Sequence, residues 1–517
     1  MNGAEGIVRT LLAGGVDHCF TNPGTSEMYF VQALDSIPEM RCILCLQENV
    51  ATGAADGYGR MADRPAATLL HLGPGLANGW SNLHNAARAF SPIVNLIGEH
   101  ATYHRTFDAP LHSDIAGLAE RVSRWVRSSD SVESVCRDAA EAIAAARAAP
   151  GGVATQIVPL DVSWSEGATP VDAASPLSAP APSADAVERA AEAIRSGGPT
   201  LLLLTGAALR AGPLETAARI AASHPCVEIM AQTSNGRIER GAGRAPVERI
   251  PYPVAPALAR LERFRNAILV GAKDPVAFFA YPGRPSRLLP AEAQVHRLAE
   301  IGDDLPAALS ALADALAAQA PAVLAPAEPP PAAHGPLTAE TLASLLAEGL
   351  PADAVVVEES VSVGRGFFAA TETAAPHDWL QVTGGAIGNG PPMAVGAAMA
   401  CPGRRVICLE GDGSALYTHQ ALWTMAREGL DVTTVVLNNG GYAILHGEFR
   451  ALAGEAAGPR ASRIMDVREP AIDWPSLAAG FGVPATRAAD ADAFRAAFAR
   501  ANATPGPHLI EAVVSGG

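Results

Sequence analysis

Short apolar runs rich in Val, Ile and Leu alternate along this chain with longer alanine-rich stretches of helical composition. The runs at residues 67–72, 93–97, 200–204, 267–270, 355–357 and 406–409 read as buried strands, and the stretches between them as helices. Two segments, 166–184 and 321–336, are rich in Pro and Ala without a periodic apolar face, and read as extended linkers. They divide the chain into residues 1–165, 185–320 and 337–517. An α/β protein of three doubly wound parallel-sheet domains is the expected result.

Composition sharpens this. Of 517 residues, 49% are hydrophobic and only 17% charged, with 49 Gly and 41 Pro, as in a compact fold with many turns. A net charge of −16 leaves no basic face for nucleic acid. The seven cysteines (19, 42, 45, 136, 226, 401 and 408) include a C-x-x-C at Cys42 and Cys45 with no second pair at zinc spacing, so reduced core thiols are expected. The first 15 residues carry no cleavable-signal pattern and no apolar run reaches membrane-spanning length; a cytoplasmic location is the default expectation.

The most informative segment runs from residue 405 to 441. An apolar run at 405–410 is broken by Gly411-Asp412-Gly413-Ser414, residues 415–429 have helical composition closed by Gly429, and 431–437 is a second buried strand before Asn438-Asn439-Gly440-Gly441. Such a βαβ unit binds ligands at the carboxyl ends of its strands, where Asp412 and Asn439 both fall. A carboxylate, a side-chain amide and a backbone carbonyl are hard oxygen ligands suited to Mg2+. Ser414 and the first helical N–H groups, facing the same point, would hold phosphate oxygens.

This segment resembles the thiamine-diphosphate motif of the family that includes acetolactate synthase, pyruvate decarboxylase and benzoylformate decarboxylase. The resemblance implies Asp412, Asn439 and Gly441 as metal ligands, with Gly411, Gly413, Ser414, Ala415, Tyr442 and Leu445 around the cofactor. In the first domain, Glu48 and the string that follows it (Glu-x-x-Ala-x-x-Ala-Ala-Asp-Gly-Tyr-x-Arg) match the family's signature around its activating glutamate, which exchanges a proton with the aminopyrimidine ring. Glu48 at the start of a helix could also simply cap it. His71 at a strand end, Thr25 in Asn-Pro-Gly-Thr-Ser-Glu, and Asn78 match residues at the benzoylformate decarboxylase site. In Thr383-Gly384-Gly385-Ala386-Ile387-Gly388, the resemblance makes Ile387 the support for a bent cofactor and Gly385 the acceptor of its amino group. Ser360 and Ser362 are implied diphosphate contacts.

Other positions depart from these relatives. The stretch 271–283 has Phe278 and Phe279 where two-histidine decarboxylases carry a second histidine, and Leu445 stands where pyruvate decarboxylases have a glutamate. His100, His104 and His112 either compensate or lie on the surface. No Gly-x-Gly-x-x-Gly follows a central strand, so FAD is not expected. The expectation is a thiamine-diphosphate- and Mg2+-dependent decarboxylase or carboligase of a 2-oxo acid, working as a homodimer or homotetramer with sites between subunits. Alternatives are acetolactate synthase proper and an inactive cofactor-binding paralogue that pairs with an active subunit.

Overall fold

A computed structural model of the chain describes residues 1–175, 178–328 and 330–515. Pro176 and Leu177 in the first expected linker, Pro329 in the second, and Gly516 and Gly517 lie outside the described residues.

Three sheets form, each covered by helices. The first has the strand order Arg41–Leu44, His18–Asn22, Ala66–Leu70, Ile93–Glu99, Val153–Pro159, Trp125–Ser128, all parallel. Its three middle strands Ala66–Leu70, Ile93–Glu99 and Val153–Pro159 are buried along their whole length, as continuous apolar runs require between two helical layers. The second sheet is also parallel, in the order Glu248–Arg249, Val227–Ala231, Thr200–Leu204, Asn266–Val270, Gln294–Ala299. The third runs Ala485–Ala488, His508–Val513, Val432–Asn438, Val406–Gly411, Ala354–Glu359, His377–Gln381, Ile238–Arg240.

That last strand was not expected. Ile238–Arg240 comes from the middle third of the chain and pairs antiparallel with His377–Gln381 at the edge of the third sheet. Its side chains explain the attachment. The Arg240 guanidinium lies 3.8 Å from the centroid of the Phe368 ring and donates to Thr371 Oγ1 at 2.6 Å, while Arg237 donates to Asp378 Oδ1 at 2.6 Å.

Two helices fasten the first part of the chain to the last. Glu48–Ala62 and Gly390–Ala400 touch backbone to backbone: a Cβ added to Gly57 would stand 2.0 Å from the Met393 carbonyl oxygen, and one on Gly396 1.8 Å from that of Ala54. Beside them the buried Arg60 forms a double hydrogen bond with Asp56 (2.7 and 2.6 Å) and donates to the carbonyls of Gln381 and Gly236. One guanidinium thus ties all three parts together.

Local differences from the sequence reading have simple causes. The run expected as strand through residue 72 ends at Leu70, because His71 is the N-cap of a helix from Leu72 to Ala89, which takes in the expected glycine-rich turn at 73–75. Helix expected at 415–429 is split into a single turn, Asp412–Ala415, and Ala421–Glu428, the latter closed by Gly429 at φ +62°. Cys42 is exposed rather than in the core, since its strand lies at the sheet edge; the other six cysteines are buried or half-buried. Among the described residues no helix is long and apolar enough to cross a membrane.

Candidate active site

Strands Val406–Gly411 and Val432–Asn438 are parallel neighbours with Gly411 opposite Leu437, so both end on the same edge of the sheet. This brings the two glycine-rich turns together. The Gly440 amide donates to Asp412 Oδ2 at 2.8 Å, and the Gly413 amide donates to Oδ1 at 2.9 Å. Asn439 Oδ1 accepts from the Gly441 amide at 3.2 Å. The Tyr442 ring lies so close over Gly413 that a Cβ there would stand 2.4 Å from it. Burial raises the Asp412 carboxyl above its usual range, against the N–H groups of Gly440 and Gly413. A nearby divalent cation would act in the opposite sense. A cavity of about 210 Å3 opens here, lined by Asp412, Asn439 and Gly440.

The donor set fits a hard cation. Among the described residues no group of three or more His, Cys, Asp or Glu side chains is placed to hold a metal ion. One carboxylate supplemented by amide and carbonyl oxygens, with the remaining positions left to phosphate and water, is how Mg2+ is commonly bound. Ser414 and Ala415 are buried in the first turn after Asp412. Of the two serines after strand Ala354–Glu359, Ser362 is half-buried at the start of a 3-10 turn, whereas Ser360 is buried and its hydroxyl donates to Glu358 Oε1 at 2.7 Å. Between them Val361 is held at φ +48°, a conformation costly for a β-branched residue and one that clusters at functional sites.

The loop that carries Gly385 and Ile387 is held from two sides. Asn85 donates to the Ala386 carbonyl at 2.8 Å, and Asn82 Nδ2 donates to the Gly388 carbonyl at 3.0 Å and to that of Asn49 at 2.9 Å. From below, buried Glu359 accepts the amides of Gly388 (2.6 Å), Asn389 (2.8 Å) and Gly390 (2.5 Å). Burial lifts Glu359 to about 7 despite those three donors, and its neighbour Glu410 is pushed well above the carboxylate range. Neither glutamate was singled out in the sequence, where each simply ends an apolar run. Gly385 has φ +76°, and the Phe278 ring covers it: an added Cβ would stand 2.7 Å from Phe278 Cζ. Tyr281, on the same loop, donates to Glu448 Oε2 at 2.9 Å, beside the exposed Leu445.

Glu48 opens helix Glu48–Ala62 but does not cap it; Gln47 does, accepting from the Val50 amide at 3.2 Å. The Glu48 carboxylate is left to accept from Asn78 Nδ2 at 3.2 Å. His71 is close by, since a Cβ on Gly75 would lie 3.4 Å from His71 Cβ and 3.6 Å from Glu48 Oε1. Leu72 takes φ +49° to turn the chain at this point. Ser26 Oγ lies 3.0 Å from His71 Nδ1, whereas Thr25, one residue earlier, is exposed.

His71 has a second partner that sequence reading passed over. Glu27 is fully buried, with Oε2 2.8 Å from His71 Nδ1. In sequence it is part of a helix-capping pattern, and it does accept from the Gly24 amide at 2.7 Å. The one available signal was its position three residues after Gly24. His100 is half-buried with Nε2 unpaired, His104 and His112 are exposed, and the ring centroids of both lie within 6.5 Å of that of His100. A larger cavity, about 720 Å3, opens elsewhere, between the first and middle sheets beside Thr205, Arg210 and Arg88, and does not reach the residues above.

The arrangement of glycine-rich turns and carboxylates has counterparts. The family model for the N-terminal TPP binding domain of thiamine pyrophosphate enzymes matches residues 1–120, and that for the C-terminal TPP binding domain matches residues 365–512. A Mycobacterium tuberculosis protein provisionally named acetolactate synthase large subunit IlvX is 50% identical over 515 residues, 99% of each chain. Benzoylformate decarboxylase of Pseudomonas aeruginosa is 31% identical over 537 residues, 96% of each chain. The solved structure of the thiamine diphosphate-dependent 4-hydroxybenzoylformate decarboxylase of Rhodococcus jostii superposes with a TM-score of 0.87 at 27% identity, covering 99% of each chain.

Proposed function

This chain belongs to the thiamine pyrophosphate enzyme family, and from that premise we propose that it is a Mg2+-dependent decarboxylase and carboligase of 2-oxo acids, close in design to benzoylformate decarboxylase. The observation that carries the reading is the meeting of Asp412 with the Asn439-Gly440 turn at two adjacent strand ends.

Asp412 and Asn439 side chains and the Gly441 carbonyl would hold Mg2+. Ser414, Ser362 and the amides of the turn after Gly411 would hold the diphosphate, and Ser360 would take part only if it released Glu358. Gly385, Ile387, Ala415, Tyr442 and Asn78 would seat the rings. Thiamine diphosphate supplies an electron sink that lets a 2-oxo acid lose CO2. Glu48, oriented by Asn78, exchanges the activating proton, and His71 exchanges protons with the reacting carbonyl group. Thr25 stands at the edge of the same turn. Phe278 and Leu445 keep the opposite wall apolar.

Glu48 and Asp412 each open a helix that follows a strand of a different sheet, and among the described residues no hydrogen bond links either one's turn to the other's. The site is therefore completed by a second copy of the chain in a homodimer or larger homo-oligomer. Exposed Leu46, two residues before Glu48, and Tyr417, five after Asp412, support such a contact. Residues 1–165, 185–320 and 337–517 then act as pyrimidine-binding, central and diphosphate-binding domains.

Incubation with thiamine diphosphate, Mg2+ and a panel of 2-oxo acids should release CO2 with at least one of them. No CO2 from any member, in a protein that binds the cofactor, would overturn the reading. The 50% identical relative's name favours a second reading, acetolactate synthase, for which pyruvate should yield acetolactate rather than a free aldehyde.

A further inference from the structure

Every donor around Glu27 points the same way. Its Oε1 accepts from Ser26 Oγ at 2.5 Å, and its Oε2 accepts from the Gly24 amide at 2.7 Å and lies 2.8 Å from His71 Nδ1. The side chain is fully buried, and two glycines make room for the group: a Cβ on Gly98 would stand 1.8 Å from Glu27 Oε1, and one on Gly24 2.3 Å from the His71 ring. A carboxylate whose oxygens already accept an N–H and an O–H has only lone pairs to offer a third group. That third group is the histidine, so its Nδ1 must carry a proton. Among the described residues nothing bonds Nε2, and the side chain is 22% exposed.

We propose that Glu27 is a positioning residue that keeps a proton on Nδ1 of His71, so that Nε2 alone takes and gives protons at the substrate. A carboxylate that orients a histidine in this way selects the tautomer and stabilises the imidazolium when Nε2 is protonated. The proposal rests on His71 serving the decarboxylation reading above. In Glu27→Gln the space is filled equally and the amide oxygen can still accept from the Gly24 amide and from Nδ1, but the negative charge beside the ring is gone. The Nδ1 proton is then retained, while the imidazolium formed when Nε2 takes a proton has lost its counter-charge.

The test combines turnover with a spectrum that needs no turnover. In 15N-histidine-labelled protein, with the His71 signals assigned by their loss in His71→Asn, neutral His71 of the wild type should be protonated at Nδ1. With a 2-oxo acid accepted by the wild type, Glu27→Gln should lower kcat by about 10²-fold or more, with KM and thiamine diphosphate affinity within about threefold. Wild-type His71 protonated at Nε2, or an unchanged kcat in Glu27→Gln, would overturn the proposal. If Glu27→Gln fails to fold, the wild-type spectrum alone decides. If the wild type turns over no 2-oxo acid, the decarboxylase reading falls while the spectrum still decides the role of Glu27.

Discussion

The Gly440 amide donates to Asp412 Oδ2 across 2.8 Å, joining the turns that follow two neighbouring parallel strands. The bond orients one carboxylate oxygen while leaving lone pairs on both for a cation. Gly440 itself adopts φ +76°, a conformation open to glycine, where the chain turns after strand Val432–Asn438.

Asp412→Ala removes the only carboxylate among the proposed metal ligands. Thiamine diphosphate affinity, followed by tryptophan fluorescence in the presence of Mg2+, should fall at least about tenfold, and chelation of Mg2+ from the wild type should have the same effect. Equal affinity with and without Mg2+ would contradict the assignment.

Glu48→Gln keeps the hydrogen bond to Asn78 within reach but cannot exchange a carboxyl proton. Cofactor binding should be retained while CO2 release from a wild-type substrate drops by about 10²-fold or more. A near-normal rate would remove Glu48 from the activating role.

Gly57→Ala drives a methyl group into the Met393 carbonyl, 2.0 Å away, between helices Glu48–Ala62 and Gly390–Ala400. The expected cost is about 1–3 kcal/mol in urea denaturation. Gly212→Ala, where a Cβ meets nothing within 4 Å, should show no such loss.

Acid should destabilise the protein through His377. This buried side chain donates from Nδ1 to the Ala375 carbonyl at 2.7 Å, and its Nε2 faces an Arg240 donor at 3.3 Å. Burial, with Arg240 beside it, lowers it to about 3. The unfolded chain therefore binds this proton first. Stability is full above the ordinary value of 6.5 and declines as pH falls toward 3, at up to about 1.4 kcal/mol per pH unit. Denaturation at pH 7 and pH 5 should show a smaller difference in His377→Gln than in the wild type; an equal difference would place the acid sensitivity elsewhere.

Some of this protein can be read from local sequence alone, because the physics there is local. The apolar runs at 406–409 and 431–437 and the turns that end them specify strands, breaks and hard oxygen ligands within a few residues of one another. Glu48 before a small-residue helix is of the same kind. What tertiary structure alone decides is which distant groups complete each local pattern. Glu27 looks like a helix cap until strand Ala66–Leu70 brings His71 against it. Glu359 and Glu410 look like strand ends until the Gly388–Gly390 amides settle on the first of them. Ile238–Arg240 joins the third sheet because Phe368, Thr371 and Asp378, more than a hundred residues later, offer its arginines a ring, a hydroxyl and a carboxylate. Pairing across such distances leaves no periodicity in the chain, since either partner alone satisfies a simpler local rule.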